Sequence, residues 1–259
     1  MQRTVQNTQL NVLEQGKGTP SLVFLHYFAG SSASWSEVIA QLQKTAHCIV
    51  PDLPGFGDSQ PIAETTVEAI AKIIAELIRQ LDLQHYVLIG HSMGGKIALA
   101  LAATQPLGLQ SLILLAPSPP TPEPIEPSER SRLLQTHGDR SAAEETAHKI
   151  TIQTLSDVAF DRVIQDNLRS SRSAWQAWLE CGSRQDISSV MSDITVPVLV
   201  IVGADDPVIP KSLLEQDVIA SIADAQLVVV PNAGHLLPLE TPQAIVDLIQ
   251  AHIRKHQSQ

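Results

Sequence analysis

The chain has two cysteines in 259 residues, Cys48 and Cys181. Two thiols far apart in sequence support neither a disulfide framework nor a cysteine metal site. Positive charge is scarce as well. Lys and Arg number 17 against 27 Asp and Glu, a net charge of −10. That balance excludes nucleic acid and anionic membranes as expected partners, and no block of like charge forms a tail. No apolar run approaches the ~18 residues of a membrane span. Met1-Gln2-Arg3-Thr4 has no apolar signal core, so a soluble cytoplasmic protein is expected. There is no HExxH, and no His pair has metal-ligand spacing. Gly55-Phe56-Gly57 lacks the third glycine and the following helix of a dinucleotide site. The reading calls for no metal and no cofactor.

The chain does contain alternating strand and helix patterns. Residues 5–15 alternate loosely and read as an edge strand or hairpin arm. Ser21–His26, His47–Val50, Tyr86–Ile89 and Ser111–Leu115 are short apolar runs, as in strands buried on both faces of a parallel sheet. Helical patterns lie between them. Ser34–Glu37 and Thr65–Glu68 read as capping boxes, the second before Val67, Ile70, Ile73, Ile74, Leu77, Ile78 and Leu81 at helical spacing. Six prolines crowd residues 117–127, and a polar, helical stretch follows to about residue 186, with a third capping box at Ser141–Glu144. Val196–Val202 and Gln226–Val230 resume the sheet, and Thr241-Pro242 opens the last helix. The expected fold is therefore α/β: a mostly parallel central sheet flanked by helices, with a helical cap insertion. The core comprises residues 1–118 and 190–259, and the cap, or lid, residues 119–189.

The chemistry concentrates at Val87-Leu88-Ile89-Gly90-His91-Ser92-Met93-Gly94-Gly95-Lys96. Gly90-x-Ser92-x-Gly94 has the spacing of a nucleophile elbow, a sharp strand-to-helix turn that lifts the serine clear of the sheet. Glycine is expected where backbone segments meet or φ turns positive. A serine hydroxyl needs a base within hydrogen-bond reach, and the base needs an orienter. In the chain order serine, acid, histidine, both partners follow later strands. Gly203-Ala204-Asp205-Asp206-Pro207 supplies two candidate acids, and Ala233-Gly234-His235 supplies the base. Each lies just past the carboxyl end of an expected parallel strand, where open α/β sheets place ligands. His26 and His91 flank the site as structural neighbours, and Asp52 reads as a turn-former.

With those loops in order, the chain resembles the α/β-hydrolase family, in particular its small serine esterase and cofactor-free haloperoxidase-like branch. His26–Ser31, Asp52–Ser59, Gly90–Gly95, Gly203–Pro207 and Ala233–His235 carry the resemblance over nearly the whole length. The resemblance implies Ser92 as nucleophile, Asp206 as triad acid and His235 as general base. It also implies an oxyanion hole from the backbone N–H groups of Met93 and Phe28. The family's first loop usually reads His-Gly where this chain has His26-Tyr27, which puts a bulky ring at the oxyanion loop. Tyr27, Trp175 and Trp178 are expected pocket walls. The implied activity is hydrolysis of carboxylic esters of small-to-medium acyl groups, with a small-molecule ester or related apolar substrate as partner. The same triad serves C–C bond hydrolysis, cyanohydrin cleavage and perhydrolysis, and the fold also serves small-molecule receptors.

Overall fold

The structure is a computed structural model that describes residues 1–257. Eight strands form one sheet: β1 (Gln2–Val5), β2 (Thr8–Gln15), β3 (Ser21–Leu25), β4 (His47–Pro51), β5 (Tyr86–His91), β6 (Leu109–Leu115), β7 (Val198–Gly203) and β8 (Ala225–Val230). Their spatial order is β1-β2-β4-β3-β5-β6-β7-β8. β1, β2 and β4 pair antiparallel, and every pairing from β4 through β3 to β8 is parallel.

The near-continuous apolar strands are explained by two core layers. Side chains alternate across a strand, so a central parallel strand must be apolar on both faces. In β5, Tyr86 and Leu88 face one layer while Val87 and Ile89 face the other. β3 divides in the same way, with Val23 and Leu25 opposite Leu22 and Phe24. One layer is closed by α2 (Val67–Gln80) and α3 (Met93–Ala103), the other by α1 (Ser36–Leu42) and the C-terminal helix Pro242–Gln257. The α2 stripe Val67, Ile70, Ile73, Ile74, Leu77 and Ile78 is buried throughout. Each such side chain contributes about 1.5–3 kcal/mol relative to exposure. This burial holds the sheet rigid, and the loops at the carboxyl ends of its strands inherit that rigidity.

The helix starts differ from the sequence patterns by one to three residues. α2 is capped by Thr66, whose side chain accepts from Ala69 N–H, not by Thr65. The Ser34–Glu37 box is replaced by a 3-10 turn, Ser32–Trp35, capped by Ser31, and α1 follows it. α5 (Arg140–Ile150) is capped by Asp139, which takes the Ala142 N–H ahead of Ser141. In each case an earlier or later side-chain oxygen reaches an orphan N–H with better geometry, a competition that pattern matching does not see.

Between β6 and β7 the chain leaves the sheet. α4 (Pro127–Gln135), α5, α6 (Asp157–Arg169) and α7 (Arg172–Glu180) occupy this insertion, with no strand among them. Its two ends are tied together, Glu123 N–H donating to Ser183 C=O at 2.7 Å and Ile187 N–H to Pro120 C=O at 2.8 Å. The insertion also docks on the loop after β3, where Ser31 Oγ donates to the buried Asp166 of α6 at 2.7 Å.

Candidate active site

β5 ends at Gly90-His91, and α3 begins one residue after Ser92. Ser92 itself holds φ 50° and ψ −116°, a strained conformation for a residue with a Cβ. The flanking glycines answer a different need. A Cβ on Gly90 would lie 2.5 Å from Gly94 O, and one on Gly94 would lie 2.5 Å from Leu25 O and 2.6 Å from His26 O. None of Gly90, Gly94 or Gly95 has positive φ. The glycines therefore admit close backbone approach, and the positive φ falls on the serine they frame.

The turn points Ser92 Oγ at His235 Nε2, 2.9 Å away. His235 Nδ1 lies 2.9 Å from Asp206 Oδ2. The other carboxylate oxygen, Oδ1, accepts from Val208 N–H at 2.8 Å and Ile209 N–H at 3.0 Å. Because Nδ1 faces a carboxylate, it carries the ring proton and leaves Nε2 as the acceptor. Burial works against an ionised Asp206, but the facing His235 and the two amide donors hold its carboxyl below the usual range. Burial likewise opposes a charged His235, yet Asp206 outweighs it and the ring titrates above its ordinary value. Asp205 is exposed, and its backbone N–H donates to Ala233 C=O.

The loop after β3 is shaped by His26. Leu53 N–H donates to His26 Nε2 at 2.9 Å, so Nδ1 bears the proton and donates to Tyr27 C=O at 2.7 Å. Gly30 N–H donates to the same carbonyl. In a planar trans peptide the next N–H points the opposite way, so pinning Tyr27 C=O aims Phe28 N–H. The same logic holds at the elbow. Ser92 C=O accepts from Gly95, Lys96 and Ser118 N–H, which turns Met93 N–H the other way. Among the described residues, neither N–H donates to a protein acceptor. Ala29, with φ 65°, absorbs the turn after Phe28.

A cavity of about 280 Å³ opens over Ser92 and His235. Tyr27, Phe28, Trp175 and Trp178 all line it. Phe28 stacks 4.6 Å from Trp175, whose Nε1 donates to Leu133 C=O. The Tyr27 ring also packs against His91 at 5.2 Å and joins Ala143, Ala147 and Val163 of the insertion. The position that glycine usually fills in the resembling family thus carries a ring that seals the insertion to the core.

The model of the alpha/beta hydrolase family matches residues 22–248. The chain belongs to the α/β hydrolase family. Among its relatives is the 2-succinyl-6-hydroxy-2,4-cyclohexadiene-1-carboxylate synthase of Enterobacter sp. (strain 638), 29% identical across 92% of this chain and 93% of that one. The pimeloyl-[acyl-carrier protein] methyl ester esterase of Nitrosomonas europaea is 26% identical across 93% and 98%. A solved thermophilic esterase from Thermogutta terrifontis, with malate bound, superposes with a TM-score of 0.82 at 28% identity, covering 99% of this hydrolase and 98% of its own chain.

Three residues of this α/β hydrolase escaped the sequence reading. Glu240 accepts four backbone N–H groups: Leu236 at 2.9 Å on Oε1, and Gly234 at 3.0 Å, Ile152 at 2.8 Å and Gln153 at 3.0 Å on Oε2. It clamps both neighbours of His235 and ties them to the insertion. The ring of His91, held neutral because burial pushes it to about 3, donates from Nε2 to His235 C=O at 2.8 Å. His235 N–H donates to Ile150 C=O at 2.9 Å. Lys96, fully buried one turn past Ser92, donates to Thr121 C=O at 3.0 Å and Gln185 C=O at 2.5 Å. It joins α3 to both ends of the insertion. The third is Glu123, which lines the cavity. A charge inside an apolar run was the available signal for Glu240 and Lys96; Glu123 lies in a polar stretch with no comparable signal.

Proposed function

We propose that the protein is a serine hydrolase that cleaves carboxylic esters of small-to-medium acyl groups through an acyl-serine intermediate. The observation that carries this reading is the unbroken line from Ser92 Oγ through His235 to Asp206, with both spacings 2.9 Å, at the floor of an apolar cavity. In the proposed reaction His235 Nε2 takes the Ser92 proton as Oγ attacks the acyl carbon. Asp206 keeps the ring in its Nδ1–H tautomer and stabilises the imidazolium. The N–H groups of Met93 and Phe28 receive the developing oxyanion, each worth about 3 kcal/mol. His235 then passes the proton to the departing alkoxide. A water attacks the acyl-serine, gives its proton to His235, and the acid leaves as Ser92 regains its hydrogen.

The cavity volume, near the lower end of ligand pockets, supports small-to-medium acyl groups over long chains. Residues 119–189 act as a cap in this reading. Trp175, Trp178 and Tyr27 close over the reacting carbonyl and keep bulk water out, which strengthens every polar contact inside. The esterase relatives lend support, and the synthase relative makes ester turnover the deciding measurement. A fluorophosphonate should add its mass to the peptide carrying Ser92, and nitrophenyl esters of graded length should be hydrolysed with a maximum at short to medium chains. Ser92→Ala should lose both label and turnover while its circular dichroism stays unchanged. Turnover retained in that variant would refute the assignment.

A further inference from the structure

The loop from Tyr27 to Ser32 carries Phe28 N–H, one of the two donors that meet the oxyanion in the reaction proposed above. The core holds this loop at both ends. His26 Nδ1 and Gly30 N–H fix Tyr27 C=O, and Ser32 N–H donates to Asp52 Oδ1 at 2.6 Å. Between these anchors the backbone turns through Ala29, whose φ of 65° is unfavourable for a residue with a Cβ. Strained backbone persists only where its surroundings over-determine it. Ser31 supplies that further constraint. It is fully buried, and its Oγ accepts from Ala33 N–H at 3.1 Å while donating to Asp166 Oδ2 at 2.7 Å. Ser31 N–H donates to Ser34 Oγ at 3.3 Å, and Ser34 is also hydrogen-bonded to the Tyr27 side chain. Contacts from Asp166 of α6 thus reach residues on either side of Phe28. Asp166 is 3% exposed, and burial pushes its carboxyl above the usual range despite Ser31 and Arg169. For stability alone, an apolar side chain of similar volume often serves as well as a buried ion pair. A short hydroxyl–carboxylate bond instead fixes the direction in which two elements meet.

We infer, on the ester-hydrolase reading of the Ser92 site, that Asp166 is a positioning residue: through Ser31 it holds the loop that presents Phe28 N–H, so the oxyanion hole is fully formed only while α6 of the insertion is docked. The effect falls on the transition state. A ground-state carbonyl draws little on the two donors, whereas the oxyanion draws fully on both. Without the bond to Asp166, Ser31 is free to turn, and Phe28 N–H drifts off the line to the oxyanion. Losing such a donor outright costs about 100- to 1,000-fold in kcat, so displacing one costs about 10- to 100-fold. Neither Asp166 nor Ser31 lines the cavity, so substrate binding stays as it was. The insertion thereby does more than cover the serine, because undocking it also weakens the hole.

Ser31→Ala, Asp166→Ala and the double variant test this in the intact protein, beside Ser31→Thr and Asp166→Asn, which keep a hydroxyl and an acceptor oxygen. Arg162 of α6 still donates to Ser36 Oγ, so the insertion keeps a second tie to the core in all of them. Hydrolysis of nitrophenyl butyrate gives kcat and KM. Trifluoromethyl propyl ketone reads the hole: Ser92 Oγ adds to its carbonyl carbon, His235 takes the serine proton, and the carbonyl oxygen becomes the oxyanion. Methyl propyl ketone, too weak an electrophile to add, reads ground-state binding. The alanine variants should lose about 10- to 100-fold in kcat with KM within about threefold of wild type. The trifluoroketone Ki should rise by the same factor and the methyl ketone Ki should not move. The double variant should lose no more than either single one, since both remove one bond. Ser31→Thr should stay near wild type, and Asp166→Asn, with a neutral acceptor, should lose about three- to tenfold. If the alanine variants do not fold, Asp166→Asn decides alone. Unchanged kcat and trifluoroketone Ki, whatever the Tm, or an equal loss of methyl ketone affinity, overturns the role of Asp166. Absence of both fluorophosphonate label and ester turnover in wild type overturns the hydrolase reading, and this inference with it.

Discussion

Removing the Glu240 carboxylate tests whether the histidine loop is held from behind. Two of its four acceptances, from Gly234 and Leu236 N–H, are buried, and those from Ile152 and Gln153 are partly so. In Glu240→Ala the two buried donors lose a charged acceptor, about 1.5–3 kcal/mol each, while water recovers much of the other two. Neighbouring bonds are not additive, so about 3–5 kcal/mol is the working figure. At about 2–4 °C per kcal/mol for a chain of this size, Tm should fall by roughly 6–20 °C. The kinetic effect is separate. His235 lies between the two clamped residues, and a displacement of about 1 Å in its ring costs on the order of 100-fold in kcat. Glu240 does not line the cavity, so KM for a small ester should change little. Glu240→Gln keeps one carbonyl oxygen and should fall between wild type and alanine on both scales. Differential scanning calorimetry and steady-state kinetics on the three proteins give the answer. A Tm within 2 °C of wild type together with an unchanged kcat in Glu240→Ala would refute the clamp.

Four further outcomes are expected. His235 titrates above its usual 6.5, and in the proposed reaction its neutral form is the base, so the acid limb of kcat/KM should have its midpoint above pH 6.5. Asp206→Asn should lower kcat by roughly 10⁴-fold and move that midpoint to lower pH, whereas Asp205→Asn should leave both near wild type. The raised value of His235 also means that its protonation stabilises the fold, fully below the unfolded value and progressively less as pH rises through the folded one. Burial pushes Lys96 down to about 8 from 10.5, so the folded chain holds fewer protons in that window and gains stability as pH rises. In urea titrations the stability of wild type relative to Lys96→Met should rise from pH 8 to pH 10.5. Gly94→Ala drives a methyl into the Leu25 and His26 carbonyls, neither of which can swing aside. It should cost about 1–3 kcal/mol in urea and reduce Ser92 labelling at least tenfold; a variant that labels at the wild-type rate would refute the steric account of the elbow.

Much of this molecule is legible in its residues because much of it is set over short distances. The apolar runs of β3, β5, β6 and β7 can be buried only between two helical layers, so the α/β sheet follows from their composition alone. The spacing around Ser92 is a local backbone requirement, and five residues carry it. Helix starts were legible only to within a few residues, since Thr66 and Asp139 won their N–H groups by local geometry that pattern does not record.

Strand and helix order, and the residue types available at the carboxyl edge of the sheet, can be read from the chain without coordinates. Tertiary structure alone decided how those types meet. The path of one loop separates Asp205, in solvent, from Asp206, against His235. Folding also brought Glu240 beneath the histidine loop, Lys96 beneath the insertion and Glu123 into the cavity. The physical reason is range. Periodicity and turn chemistry act over a few residues, whereas a buried charge is satisfied by partners tens of residues distant, which no local pattern can name.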